Sequence, residues 1–238
     1  MVIQAQCLGY REINDALRGS GECVVKGCLG QRFLCAGMSG VSAVFEGVPG
    51  NALGAYLNGA SATVMGNAQD AVGDTMNGGR IVVHGNIGDA AGYAMRGGEI
   101  YVKGSAGYRA GIHMKAYKEK VPVIVIGGRA GSFLGEYQAG GLIIVLGLGA
   151  GGGRIVGDFP CAGMHGGKMF LRSDCRGVVF PGQVSARPAS GEDMEEIKGY
   201  IEEYCRLFGR DAREILDSPF TAVTPDSSNP YRRLYAAN

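Results

Sequence analysis

The sequence GNAQDAVGDTMNGGRIVVH (residues 66–84) is followed directly by GNIGDAAGYAMRGGEIYVK (residues 85–103), and the two stretches align position by position. Further copies read CAGMSGVSAVFE (residues 35–46), GRAGSFLGEYQAGGLIIVL (residues 128–146) and GDFPCAGMHGGKMFLR (residues 157–172). We count about seven copies, with insertions of five residues around 115–122 and seven residues at 147–153. A fixed internal period is the signature of a protein built from stacked repeats.

Two series of glycines keep the 19-residue period. The first is Gly47, Gly66, Gly85 and Gly104, and the second is Gly54, Gly73, Gly92 and Gly111, with Gly135 in the equivalent place of a later copy. Glycine adopts left-handed backbone conformations without steric cost, so we interpret these residues as the structural corners of the repeat. Hexapeptide β-helices and calcium-binding nonapeptide repeats fit less well, because the glycines do not recur every six residues and no aspartate recurs in every short copy.

Apolar residues fall into columns when the copies are aligned. One column reads Ala62, Ile81, Ile100, Ile124, Ile143 and Met169, and a second reads Phe45, Val64, Val83, Val102, Ile126, Val145 and Leu171. A third column is Met38, Leu57, Met76, Met95, Met114 and Met164. Like residues would stack if each strand paired in parallel with its next copy, about 4.8 Å away. The predicted fold class is all-β, a single-stranded parallel β-helix of about seven turns with a C-terminal helical segment.

Composition and charge exclude several classes of function. Glycine supplies 43 of 238 residues, and 23 basic against 22 acidic side chains leave a net charge of +1. A neutral chain without charge blocks argues against nucleic acid or a membrane as partner. Seven cysteines without a CxxC pair fit reduced thiols, and no signal peptide or membrane-length apolar run is apparent, so a cytoplasmic protein is expected.

The chain is predicted to have three parts: an N-terminal segment with a short helix and first strand (1–30), the β-helix (31–185), and a C-terminal helix with an extended tail (186–238). Residues 10–18 could form the first helix, and 22–26 and 32–35 the first strands. Ser190 and Asp193 resemble a capping box that starts a helix ending at Gly209, followed by a short helix over 211–216. This C-terminal segment is a candidate for covering an exposed strand edge.

Two features could carry chemistry in the repeat region. Asp70 and Asp89 share a column in consecutive turns, and paired carboxylates can perform acid–base work. The simpler interpretation is that they cap tight turns. GLGAGG (residues 147–152) matches the GxGxxG dinucleotide pattern, but glycine and proline follow where a helix should begin, which favours a plain glycine-rich loop.

The other reactive side chains form no recognisable constellation. His84, His113 and His165 fall in three different columns, which discourages a metal site. Cys35 and Cys161 each begin CAGMxG and replace the corner glycine, where a small buried residue is expected. Lys115, Lys118 and Lys120 lie in the first insertion and are equally consistent with a binding face and with a solvated loop. We therefore predict no catalytic, cofactor-binding or metal-binding residue.

The phrases GQRFLCAGMSG, HGNIGDAAGYAMRGGEIYVKG, PVIVIGG, FLGEYQAGG and CAGMHGG closely resemble the C-terminal β-helix domain of the glutamate synthase large (alpha) subunit, the GXGXG-motif family. The resemblance covers about residues 10–172 and includes both insertions. It corresponds to a stand-alone chain of the kind found in split archaeal and bacterial glutamate synthases. The tail NPYRRLYAAN (residues 229–238) has no counterpart.

The resemblance implies a right-handed β-helix with a structural role in glutamine-dependent glutamate biosynthesis. The partners would be a glutamine amidotransferase subunit and an FMN/iron–sulfur synthase subunit, with the FMN and the cluster on a partner and none on this chain. Self-association is left open. One alternative is a component like the β-helix subunit of formylmethanofuran dehydrogenase, which belongs to the same family. Another is a solitary β-helix enzyme that uses Asp70 and Asp89.

Overall fold

A computed structural model describes residues 1–226, and the tail at 229–238 lies outside them. Nine strands pair in parallel, each with the next along the chain. They are β1 (Val2–Gln4), β2 (Glu22–Leu29), β3 (Ser42–Val48), β4 (Asn58–Val64), β5 (Asn77–Val83), β6 (Gly97–Val102), β7 (Val123–Ile126), β8 (Ala139–Val145) and β9 (Gly166–Leu171). The predicted fold class, a parallel β-helix of about seven turns, is confirmed.

The strand register reproduces the two apolar columns read from the sequence. Ile81 lies opposite Ile100, and Ile100 lies opposite Ile124. Val83 and Val102 are paired in the same way two residues later. These side chains point into the β-helix and are fully buried. Stacking identical aliphatic residues at the strand spacing keeps the interior closely packed from one turn to the next.

One predicted strand is wrong. The prediction makes residues 32–35 extended, but Phe33 and Cys35 have φ values of 57° and 59° and lie in the left-handed region. This stretch instead starts the first corner of the β-helix, and β2 continues to Leu29. The aromatic and apolar residues of QRFLC resemble a strand, but this position of the repeat is a corner in every turn.

A second ladder runs along another side of the β-helix. It consists of single bridges between consecutive turns, through Ala68, Ile87, Ala106, Ala130 and Val156. These residues are also buried. The remaining side is formed by the corner segments, at 33–37, 52–56, 71–75, 90–94, 109–113, 133–137 and 159–163. Each repeat thus contributes a strand, a bridge and a corner around one apolar interior.

The C-terminal segment ends the sheet and covers its outer face. Strand β11 (Thr221–Pro225) pairs antiparallel with β9, and β10 (Val184–Pro188) pairs antiparallel with β11. Helix α2 (Gly191–Phe208) lies across the outer side of the sheet, where Ile197, Ile201 and Tyr204 pack into one cluster with outward residues of the strands. The C-terminal segment therefore covers the strand edge as predicted, but it does so through β11, while α2 covers the face. Helix α3 (Ala212–Leu216) follows.

The predicted start of α2 is confirmed. The Ser190 hydroxyl accepts from the Asp193 amide at 3.3 Å, and the Ser190 amide donates to Asp193 Oδ2 at 2.8 Å. Arg187 Nη1 also donates to this carboxylate at 2.5 Å. The hydrogen bond from Arg187, together with those from Ser190, lowers the pKa of Asp193 to about 2 against the opposing effect of burial.

Asp193→Asn should reduce stability at neutral pH and lose this effect in acid. A depressed carboxyl pKa stabilises the fold above the ordinary value near 3.8, and this stabilisation is lost as the pH falls towards 2. We expect a difference from the wild type of about 2 kcal/mol at pH 7 that shrinks below pH 4, measured by urea unfolding across pH. Glu195→Gln, at an exposed helix position, is the control. A difference that does not change with pH would contradict this assignment.

The N-terminal end is closed by helix α1 (Tyr10–Leu17). Ile13 and Leu17 are fully buried in the interior cluster. The buried Asn14 amide donates to the Phe33 carbonyl at 2.8 Å and its oxygen accepts from the Cys35 amide at 2.9 Å. The Asn14 side chain therefore replaces the hydrogen bond that a preceding turn would supply to the first corner.

Asn14→Leu should lower the free energy of unfolding by about 1–3 kcal/mol, because the Cys35 amide is left buried without an acceptor. Chemical unfolding of the full chain measures this. Asp15→Leu, on the exposed side of the same helix, should change stability by less than about 0.5 kcal/mol. Equal effects of the two substitutions would show that Asn14 does not close the end of the β-helix.

Candidate functional site

The corner segments (33–37, 52–56, 71–75, 90–94, 109–113, 133–137 and 159–163) share an alternating backbone. In each, the first, third and fifth residues have positive φ. In the turn that starts at Ala71, the amide of Ala71 donates to the Asp89 carbonyl and that of Gly73 to the Leu53 carbonyl. Amides thus bond to the next turn and the previous turn in alternation, which ties neighbouring corners together.

The second glycine series lies at the centres of these corners. Gly54, Gly73, Gly92, Gly111 and Gly135 have φ between 64° and 72°. A Cβ added to Gly54 would lie 2.6 Å from Ile81 Cδ1, and one added to Gly73 would lie 2.5 Å from Ile100 Cδ1. These positions therefore need glycine both for the left-handed conformation and for the close approach of a side chain in the following turn, which is Met169 at Gly135 and an isoleucine at the other four.

The first series of positions requires glycine for a different reason. Gly47 has φ 106°, but Gly66, Gly85 and Gly104 do not have positive φ. A Cβ on Gly85 would lie 2.7 Å from the Gly66 carbonyl carbon, and one on Gly104 would lie 2.8 Å from the Gly85 oxygen. Close backbone approach between turns, and not left-handed geometry, explains these three glycines.

The two stacked aspartates act on the backbone. Asp70 Oδ1 accepts from the Asp89 amide at 2.9 Å, and Asp89 Oδ1 accepts from the Tyr108 amide at 2.7 Å. Asn51 Oδ1 makes the same contact with the Asp70 amide at 3.3 Å. An asparagine thus makes the same hydrogen bond one turn earlier, where no carboxylate is present. This geometry supports the turn-capping interpretation.

The glycine-rich loop at 147–153 lines a cavity of about 390 Å³. Arg129 donates to the Ala150 carbonyl at 2.6 Å, and Arg172 donates to the Leu146 carbonyl and the Ser218 hydroxyl. Residues 154–165 contain no helix. The helix N-terminus that a dinucleotide motif needs for a pyrophosphate is therefore missing after this loop.

The histidines stay apart, as their columns indicate. His84 packs edge-on against Phe208 with ring centroids 5.2 Å apart, and burial together with Lys103 lowers its pKa. His113 stacks on Tyr137, and His165 Nδ1 lies 3.0 Å from the Gly163 carbonyl. Among residues 1–226, no group of three His, Cys, Asp or Glu side chains could hold a metal ion.

The corner cysteines are buried and unreactive. Burial raises the pKa of Cys35 and of Cys161 to about 12, so both are thiols at neutral pH. Cys161 Sγ lies 3.7 Å from Met169 Sδ within the apolar interior. All seven cysteines are free. This environment matches the expectation of small buried residues.

The lysine insertion folds back on the β-helix. Tyr117 and Lys120 form an antiparallel bridge, and Lys120 Nζ donates to the Asn77 carbonyl at 2.9 Å. Lys120 thereby borders an open cavity of about 580 Å³ over the paired glycines of β5 and β6, next to Arg80 and Glu99. Lys115 and Lys118 remain exposed.

Sequence reasoning missed a set of surface rings, five exposed and Phe133 half-buried, which we call the aromatic face: Tyr93, Tyr108, His113, Phe133, Tyr137 and Phe159. Two rows of neighbouring rings build it. Tyr108, Phe133 and Phe159 follow one another with centroids 5.6 Å and 5.2 Å apart. The Tyr93–His113 and His113–Tyr137 centroids are 5.9 Å and 5.1 Å apart. The signal in the sequence was the ring-bearing residues one to three positions from the central residue of each corner, which is Gly92, Gly111, Gly135 or Cys161.

The described part of the molecule thus offers a rigid parallel β-helix with long exposed faces, and no helix in it is long and apolar enough to span a bilayer. Fold and surfaces together define a stacked-repeat protein whose polar side chains serve its own turns. The GXGXG motif family model matches residues 10–226, and the chain belongs to this family. Its membership is consistent with the glutamate synthase β-helix domain that its motifs resemble.

Two similar proteins add to this assignment. The uncharacterized protein MJ1350 of Methanocaldococcus jannaschii is 42% identical over 250 residues, covering 99% of this chain and 96% of the relative. The second is a chain in the crystal structure of the formyltransferase/hydrolase complex FhcABCD from Methylorubrum extorquens with methylofuran. It aligns with a TM-score of 0.64 and 22% identity, over 87% of this chain and 74% of that chain. At this identity the likeness concerns the fold.

Proposed function

We propose that the chain is a non-catalytic structural subunit of a cytoplasmic multi-subunit enzyme complex. The strongest support is that the aspartates and cysteines that could have carried chemistry have structural roles. Asp70 and Asp89 hold backbone amides, and Cys35 and Cys161 are buried thiols. The candidate groups for chemistry therefore serve the fold, while the β-helix leaves long exposed faces for other subunits.

Glutamate synthase is the first candidate complex. The repeat phrases resemble its β-helix domain, and family membership is consistent with them. In this assignment the chain binds a glutamine amidotransferase subunit and an FMN/iron–sulfur synthase subunit. An iron–sulfur cluster needs cysteine ligands in one place, and no such group exists among residues 1–226. The cluster would therefore reside on a partner, and the resemblance to glutamate synthase assigns the FMN to a partner as well.

A formyl-group enzyme is the second candidate, in which the chain would correspond to the β-helix subunit of formylmethanofuran dehydrogenase. The similar fold in the formyltransferase/hydrolase complex of Methylorubrum extorquens supports this candidate more directly than the first. The quoted repeat phrases favour glutamate synthase. Both candidates share the role of a β-helix subunit that binds enzyme chains.

Native purification of the chain from its host, followed by identification of the co-eluting chains, tests the proposal. A flavin- and iron–sulfur-containing chain with an amidotransferase would establish the glutamate synthase assignment. A molybdopterin or tungstopterin subunit, or a formyltransferase, would establish the second candidate. Elution of the chain by itself would overturn the proposed function and leave the fold assignment intact.

A further inference from the structure

We propose that the aromatic face, together with the acidic strip beside it (Asp70, Asp74 and Asp89), is the docking surface for a partner protein. The partner surface that fits is an apolar patch flanked on one side by lysine or arginine side chains. This inference rests on the proposed function, because it requires a partner subunit.

The first step concerns exposure. Phe159 is 63% exposed, and Tyr108, Tyr93 and Tyr137 are 43%, 41% and 39% exposed. Single exposed apolar residues are ordinary, but a contiguous group of rings on one face marks an interaction surface. Tyrosine, phenylalanine and arginine are also among the residues enriched at the centres of protein interfaces.

The second step concerns the backbone beneath the rings. Phe133, Tyr137 and Phe159 have φ of 58°, 53° and 57°. Bulky residues rarely adopt this left-handed conformation, because Cβ approaches the following carbonyl oxygen. At the equivalent corner positions of other turns, Phe33 and Tyr56 also carry rings, whereas glycine stands at 37 and 163 and alanine at 52, 71, 90 and 94. An exposed ring contributes little to the free energy of folding. Its presence at a strained backbone position therefore indicates a role in binding another molecule.

The third step concerns charge. Within the aromatic face, Arg109 pairs with Glu136 at 2.8 Å, and Arg154 pairs with Asp158 at 2.9 Å near Phe159. The rings therefore lie in locally neutralised surroundings. Arg109 also lies over the Phe133 ring, 4.9 Å from its centroid, which holds both side chains in place. A neutral, preorganised set of rings fits an apolar protein surface.

The acidic strip supplies the charge complementarity. Asp89 Oδ1 accepts from the Tyr108 amide, and Asp74 precedes Tyr93 by one turn in the same column, so the strip adjoins the rings. Asp70, Asp74 and Asp89 form no ion pair with any residue of 1–226. Three carboxylates whose charge no ion pair neutralises disfavour a nucleic acid and favour basic side chains at the rim of the partner.

Covalent footprinting of tyrosines tests the surface without altering the chain. The complex purified from the host is labelled by hydroxyl radicals with and without nuclease treatment, and the isolated full-length chain is labelled in parallel. We expect labelling of Tyr108 and Tyr137 to fall at least about fivefold in the complex. Tyr117, which is 52% exposed on the insertion, is the internal reference and should stay unchanged.

Variants then separate rings from charge. Tyr137→Ser with Phe159→Ser should weaken retention of the co-purified partner at least about tenfold, and Tyr117→Ser should not. Asp70→Asn with Asp89→Asn keeps both Oδ1 acceptors for the backbone, so folding is preserved. It should slow association roughly fivefold at low salt and little at high salt, whereas Glu119→Gln should have no effect.

The outcomes are distinguishable. A complex with a different protein in which Tyr108 and Tyr137 remain fully labelled overturns this inference and leaves the proposed function standing. If the protection of Tyr108 and Tyr137 disappears with nuclease, the aromatic face binds a nucleic acid, and if it occurs in an assembly of identical chains, the face binds a second copy. Either result overturns the inference of a different protein as partner. A chain that elutes as a monomer overturns the proposed function and the docking surface with it.

Discussion

Gly92→Val should destabilise the protein by about 2–5 kcal/mol. Gly92 has φ 67°, and its added Cβ would overlap the Cδ1 methyl of Ile124 in the next turn. A β-branched residue in the left-handed region costs about 1–2 kcal/mol, and overpacking a dense interior costs about 1–3 kcal/mol more. Urea unfolding followed by circular dichroism measures the sum.

Gly37→Val is the matched control, because Gly37 has the same φ of 67° and open space around its Cβ position. It should show only the conformational cost. Gly182→Val, where φ is not positive and no atom lies within 4 Å, should change stability little. An equal effect at positions 92 and 37 would mean that the contact with Ile124 does not matter. An unchanged melting temperature for Gly92→Val would contradict the packing of the repeat.

The interior of the β-helix was predictable because parallel stacking places like residues over like residues. Ile81, Ile100 and Ile124 recur at the same place of each copy and lie opposite one another in the structure. The helix α2 was predictable for a similar local reason. Its capping residues Ser190 and Asp193 and its apolar face are set by neighbours in sequence.

Features that depend on insertion lengths were not predictable. Arg109, Phe133 and Phe159 occupy equivalent corner positions, but they are 24 and 26 residues apart, because insertions interrupt the 19-residue period. Their side chains therefore do not recur at the 19-residue spacing, and they align only when the two insertions are taken into account.

One residue of the buried methionine column also departs from the pattern. Gln138 takes the place of a methionine there, and its amide donates to the Gly141 carbonyl at 3.1 Å.

The end of the sheet was not predictable either. Strand β11 has only five residues, and its pairing with β9 is antiparallel, whereas the repeat pairs strands in parallel. Nothing in TAVTP repeats an earlier column. Its place is determined by the free edge of β9 and by the position of α2 and α3, which bring the chain back to that edge.

Truncation after Ala189 should convert the protein into a self-associating species. The deletion removes α2, α3 and β11 and exposes the outer row formed by Tyr101, Ile144 and Phe170, which are at most 1% exposed in the full chain. It also leaves β9 with an unpaired edge. Exposed apolar patches of several hundred Å² and free strand edges both promote association.

A chain ending at Asp226 is the control, because it keeps every described element. Size-exclusion chromatography should show this control at the elution volume of the full chain, and the shorter chain in large assemblies that bind a hydrophobic dye. Truncating buried aliphatic residues such as Ile197 and Ile201 to alanine costs about 2–5 kcal/mol each. The loss of the whole helix therefore removes a free energy comparable with the total stability of a domain. A soluble chain ending at Ala189, with the melting temperature and association state of the control, would show that the β-helix is stable without its helical cover.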